Sequence, residues 1–256
     1  MEYSGNAIYD YVYRNDLDYI FSAEHEWLLV YGNSSSIPKV LAYICKVGNI
    51  RETQSQNEKK AANRAYRFSE MLGLPFICIR FRENDSSVAI WEGLYGPWSY
   101  ITYDQLRDRF EAYGIVEPGT ARKNVNQYLS SSYHDWQRSS LGRITVSDFD
   151  LIKINDKNKI LEIVELKRSK LSLNDWKPYR NDFANFALII NTIVLSGKNI
   201  PFYLYYNVMK DGEVGKREED TSSIMVFEFI IPEDFISADE VRYRKIGQKT
   251  LKDLLL

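Results

Sequence analysis

Two acids and an amine fall into one local pattern: Asp150 in the run Ser147-Asp148-Phe149-Asp150, then Glu165 and Lys167 in Glu165-Leu166-Lys167. Asp150 to Ile154 reads as a strand, Asn155 to Asn158 as a turn and Lys159 to Lys167 as a second strand, so an antiparallel hairpin is expected. Alternation sends residues i and i+2 to one face, which puts Glu165 with Lys167 and Asp148 with Asp150. Closing the hairpin brings Asp150 beside Glu165 on strands ~4.8 Å apart. Two carboxylates so placed repel, and each is driven towards protonation unless a cation stands between them. Mg²⁺, a hard ion that takes oxygen ligands, suits such a pair, with the backbone carbonyl of Leu166 completing the protein's share. Such an ion lowers the pKa of a bound water and stabilises charge on a phosphoryl oxygen. Lys167 beside it orients the nucleophile or neutralises developing charge. The chemistry expected is hydrolysis of a phosphodiester bond.

The elements that must position these residues recur twice along the chain. After the hairpin comes a helical stretch from about Leu173 to Leu195, with Phe183, Phe186, Ala187, Ile190 and Val194 at helical spacing. The strands Ile200–Tyr206 and Ser222–Glu228 follow, separated by a polar loop, Gly212 to Asp220. The first half runs in the same order: strands Trp27–Tyr31 and Lys39–Lys46, a helix from about Glu58 to Met71, then strands Leu74–Arg80 and Ser86–Glu92. Pro75-Phe76 resembles Pro201-Phe202, and each half closes on a helix-like tail, Tyr103–Phe110 and Gln248–Leu255. The reading is of two tandem units, 1–115 and 116–256, divided at the turn-rich Val116–Thr120, with a helix from Thr120 to about Ser139 opening the second.

An acid, then Glu-x-Lys on the adjacent strand, then a helix and a further strand: this arrangement resembles the PD-(D/E)XK nuclease superfamily, best over Val146 to Val208. The resemblance implies the restriction-endonuclease-like fold, an α/β mixed central sheet flanked by helices, here as two copies with the first degenerate. It matches Asp150 to the first metal-binding acid, Glu165 to the second and Lys167 to the lysine. Phe149 stands where the family's nominal proline would be. Asp148 competes for the first-acid role, and Asp150 is preferred because Leu151 to Ile154 follows it directly.

Further candidates lie around this centre. The resemblance implies an assisting acid on the helix before the hairpin, where Gln127, His134 and Asp135 fall, and Asp135 fits that role. Lys170, Lys177 and Arg180, near the start of the next helix, are candidates for contacts to DNA phosphates. In the first half, Lys46 is expected where Lys167 stands and Ile44 where Glu165 stands, which leaves that copy without a metal site. It is free to bind DNA or pair subunits, and its helix carries Lys59, Lys60, Arg64 and Arg67.

Composition narrows the class. The 256 residues hold 33 Lys and Arg against 35 Asp and Glu, a net charge of -2, too little basic excess to coat nucleic acid indiscriminately. The longest apolar stretch, Phe186 to Leu195, is too short for a membrane helix, and Met1 to Gly5 has no secretory character. Two cysteines and two histidines do not suffice for structural zinc, and Cys45 and Cys78 in apolar strands read as buried thiols of a cytoplasmic protein. The expectation is a Mg²⁺-dependent endonuclease acting on DNA, with Mn²⁺ able to substitute, working as a homodimer without membrane or small-molecule cofactor. Its size and the resemblance together point to a type II restriction enzyme. The alternatives are a structure-specific or defence nuclease, and a nuclease-fold binding protein without chemistry.

Overall fold

Residues 38–46 dictate the layering. Val40, Ala42 and Ile44 face one way, Leu41, Tyr43 and Cys45 the other, and all six are buried, so this strand must be covered on both sides. The computed structural model, which describes residues 7–21, 25–93, 96–119, 131–155, 159–211 and 217–255, shows how. The first half forms α1 (Ala7–Arg14), β1 (Tyr19–Phe21), β2 (Glu26–Gly32), β3 (Pro38–Lys46), α2 (Gln56–Leu72), β4 (Phe76–Phe81), β5 (Ser87–Trp91), β6 (Ser99–Thr102) and α3 (Tyr103–Ala112). The second forms α4 (Ser132–Ser140), β7 (Thr145–Asp148), β8 (Leu151–Ile154), β9 (Ile160–Ser169), α5 (Phe183–Ser196), β10 (Phe202–Asp211), β11 (Arg217–Phe229), β12 (Tyr243–Lys249) and α6 (Leu251–Leu255).

The protein is mixed α/β, with two six-stranded mixed sheets ordered β6-β5-β4-β3-β2-β7 and β12-β11-β10-β9-β8-β1. Both follow one plan. In each, a single parallel pair, β3·β4 or β9·β10, is joined by a crossover helix, α2 or α5, and the other pairs are antiparallel. The two crossover helices lie between the sheets. Their apolar faces, Ala62, Ala65, Phe68 and Leu72 on α2 and Phe186 to Ile193 on α5, share one core with β2, β3, β8, β9 and β10. Two smaller cores cover the outer faces, with α3 and α4 on one sheet and α1 and α6 on the other. Among the described residues no helix is long and apolar enough to cross a membrane.

The outermost strands are exchanged between the halves. β1, from the beginning of the chain, pairs antiparallel with β8, and β7, which immediately precedes β8, pairs with β2. The chain therefore leaves one sheet at Asp148 and enters the other at Leu151. Phe149, fully buried between the sheets, anchors this passage: its N–H donates to the Leu28 carbonyl (3.0 Å), and its ring stands edge-on to Phe68 (5.1 Å). Gly142, at φ +76°, makes the turn into β7 possible, because a Cβ there would come within 1.7 Å of the Glu117 carbonyl oxygen.

Several sequence expectations need correction. The helix expected from Leu173 starts at Phe183. Pro178 disfavours helical backbone at Lys177, and Trp176 instead inserts into the core, stacked on Tyr206 at 4.2 Å. The tail expected from Gln248 splits, because β12 takes Gln248 and Lys249 and α6 begins at Leu251. The helix before β7 is described only as Ser132–Ser140; its expected start at Thr120 and the candidate Gln127 lie outside the described residues, as do 156–158 of the hairpin turn and 212–216 of the polar loop.

Candidate active site

The hairpin register sets the geometry. Leu151 pairs with Val164 and Ile152 with Ile163, so Asp150, one residue before the strand, falls opposite Glu165. The Asp150 carboxylate is held at both oxygens: Oδ2 accepts the Leu166 backbone N–H at 2.7 Å, and Oδ1 accepts the Tyr9 hydroxyl at 2.9 Å. Glu165 is only 4% exposed. Its Oε1 meets the Lys167 ammonium at 2.6 Å, while its Oε2 is buried with no hydrogen-bond partner. Lys167, with a third of its side chain reaching solvent, also lies 6.0 Å over the Phe186 ring at the start of α5. Thus Asp150, Glu165 and Lys167 do come together, as the hairpin pattern predicts.

Asp148 does not share a strand face with Asp150. It ends β7, opposite Leu29 in the other sheet, because the chain changes sheets at Phe149. Its carboxylate still acts on the site from across that passage. Burial, then the charges of Glu165 and Asp148, push the Asp150 carboxyl well above its ordinary range, and Lys167 and the Leu166 N–H only partly offset this. Burial likewise raises Glu165, against the pull of Lys167 and with help from Asp148 and Asp182. Burial alone would lower Lys167, but the Glu165 and Asp150 carboxylates outweigh it and hold the ammonium charged. The group is over-acidic for one lysine, and a buried acceptor without a donor is costly.

The donor set fits a hard cation. Among the described residues no three His, Cys, Asp or Glu side chains stand together as ligands. Two carboxylates and a main-chain carbonyl are nevertheless what Mg²⁺ takes from a protein when water and phosphate supply the rest. The unpartnered Glu165 Oε2 beside Asp150 is the atom such an ion would satisfy.

The outer candidates separate. Asp135 is exposed on α4, on the far face of the other sheet, and pairs with Arg138 at 3.3 Å, so it is not brought to the carboxylates. Lys170, Lys177 and Arg180 are exposed beyond β9, on the irregular chain and 3-10 turn (Arg180–Asp182) leading to α5 rather than on a helix. Tyr9 was not foreseen. Its helix shows an apolar face, Ile8, Tyr9 and Val12, but nothing in the sequence ties it to Asp150, 141 positions away.

The first half offers a precise internal comparison. Leu41 N–H donates to Pro75 O at 2.9 Å and Ile163 N–H to Pro201 O at 3.0 Å, so Leu41 and Ile163 are equivalent. Glu165 then corresponds to Tyr43, Lys167 to Cys45 and, through the Leu28–Tyr43 pairing, Asp150 to Leu28. The expected matches, Ile44 for Glu165 and Lys46 for Lys167, are one residue out of register, and a one-residue slip reverses every side chain. Ile44 faces the outer core, and Lys46 pairs with Glu83 at 2.9 Å. This copy carries no triad. Burial of Cys45, with the Glu58 and Glu26 charges beside it, pushes its thiol up to about 12.

No family model matches the chain, and no curated protein does. Among solved structures, a sex pheromone precursor from Lactobacillus salivarius subsp. salivarius UCC118 is similar at a TM-score of 0.15 and 8% identity, over 81% of this chain and 62% of that one. The C-terminal domain of the sex pheromone staph-cAM373 precursor from Staphylococcus aureus is similar at a TM-score of 0.14 and 7% identity, over 86% of this chain and 70% of that one. This chain spans less than two thirds of the first of these structures, and likenesses this distant carry no argument about fold or activity.

Proposed function

We propose that this protein is a Mg²⁺-dependent endonuclease of restriction-endonuclease-like fold that hydrolyses phosphodiester bonds in DNA. The observation that carries the reading is the buried, unpartnered Glu165 Oε2 next to Asp150 and Lys167 on one strand pair. Asp150, Glu165 and the Leu166 carbonyl would hold the ion, for which Mn²⁺ substitutes. When bound, the metal supplies a water acidified towards hydroxide and charge stabilisation at the phosphoryl oxygen.

The chain's own residues do the rest. The Leu166 N–H and the Tyr9 hydroxyl fix the Asp150 carboxylate, as outer-shell partners orient metal-ligating groups. Lys167 stays cationic, so it acts by donating hydrogen bonds and neutralising charge at the scissile phosphate, not by abstracting a proton. The Phe186 ring lies on the apolar side of the site, 6.0 Å from the Lys167 ammonium. On size and arrangement, a type II restriction enzyme is the form we favour.

Incubation of supercoiled plasmid with the protein and Mg²⁺ tests the reading. Cleavage is expected for the native chain and a loss of at least 100-fold for Glu165→Gln and for Lys167→Met, the scale of removing one charge-stabilising group. Full activity in both variants would refute the assignment. Discrete sequence-defined fragments would support restriction; cutting confined to junctions, ends or RNA would move the protein to another nuclease class.

A further inference from the structure

A groove beside helix α2 of the first half has the chemistry of a phosphate track. It is a cavity of about 190 Å³ between α2, which supplies Lys60, Arg64, Arg67 and Met71, and the β1·β8 edge, which supplies Ile20 and Ile154. The three cations are exposed, and among the described residues none is in an ion pair; no acid lines the groove. Their spacing, i, i+4 and i+7, stacks like charges along one helix face, an arrangement that disfavours the helix unless an anion answers it.

We infer that this groove binds the phosphate backbone of duplex DNA. From Lys60 to Arg67 the helix rises about 10 Å, which spans about three phosphates of one strand at ~3.4 Å of duplex axis each. Arginine is suited to phosphate by its fork of donors. The groove has no aromatic lining, and aromatic platforms are what single-strand binders stack bases on; a fixed comb of cations fits the regular phosphate row of a duplex. Ile152 and Ile154 follow Asp150 at alternate positions of β8 and pack into the same central core. The groove's Ile154 thus lies about 13 Å along the strand from Asp150, well within one ~34 Å turn of DNA. The first half, which has no triad, would hold substrate for the second. The inference extends the nuclease reading and rests on it for the identity of the polyanion.

The test is fluorescence anisotropy of a labelled duplex with the full chain in EDTA, which prevents cleavage, as a function of NaCl. Lys60→Gln/Arg64→Gln/Arg67→Gln is expected to weaken binding at least tenfold and to reduce the log–log salt slope by about 2.7, at ~0.9 per lost phosphate contact. Lys59→Gln, on the same helix but outside the groove, should change affinity less than twofold, and Arg64→Lys/Arg67→Lys should keep the salt slope. Native-like binding by the triple variant, or equal loss in Lys59→Gln, overturns the inference, as does tighter binding of single-stranded DNA or RNA than of duplex. The two readings fail separately. Mn²⁺ binding and cleavage with no effect of the triple variant on affinity removes only the groove; absent Mn²⁺ binding with the affinity loss intact removes only the nuclease.

Discussion

At the scale of single residues, the site is held in tension by its own charge. Asp150 keeps its proton in the folded protein over a range where the unfolded chain has lost it, since its carboxyl is pushed well above 3.8. The native state then binds more protons than the unfolded one, so stability falls as pH rises above that value. Without divalent metal, the melting temperature should therefore decline from pH 4 towards pH 8. Asp150→Asn, which cannot ionise, should flatten part of that decline and raise the neutral-pH melting temperature by about 2–4 °C, the shift ~1 kcal/mol gives in a chain of this length. A variant that melts below the native chain at neutral pH would show that the carboxylate is not under strain. The triad itself was legible in the sequence, because a short hairpin is local and its register follows from one turn. Asp148 was misread for the complementary reason: alternation by two assumes an unbroken strand, and nothing in Asp148-Phe149-Asp150 announces a change of sheet.

At the scale of elements, the strands β2 to β5 and β8 to β11 and the helices α2 and α5 were legible from periodicity, since each buries an apolar face or run of its own. The missed pieces are short or depend on distant partners. β1 has three residues and exists only because Ile20 meets Ile152; α1 has eight, too few for a helix to be stable without packing. These pieces nevertheless complete the site, because α1 carries Tyr9 to Asp150. Tyr9→Phe keeps the ring in its core and removes only the hydroxyl. We expect it to weaken Mn²⁺ binding, read by titration calorimetry, 10- to 100-fold, the usual effect of losing an outer-shell partner, with far-ultraviolet dichroism unchanged. Unaltered Mn²⁺ affinity would mean that the hydroxyl only fills space.

At the scale of the whole molecule, two sheets of one plan hold one such triad among the described residues, since Leu28, Tyr43 and Cys45 occupy the other set of positions. On the nuclease reading proposed above, one chain would cut one strand per encounter. With plasmid in excess over protein, nicked circles should accumulate before linear product, and linear product should rise more steeply than in proportion to protein. Linear DNA as the first product at the lowest protein concentration would instead show two chains acting together from the start.

The exchanged edge strands have a consequence during synthesis. Tyr19 to Phe21 are made long before their partners: Tyr19 waits for Glu162, 143 positions later. At ~5–20 residues per second this is a delay of about 7–30 s. Meanwhile the nascent chain carries an apolar helix, α1, and an unpaired strand, β1, whose partners lie in the second half. The site is thus finished only when Asp150 returns to the helix that carries Tyr9, 141 positions before it.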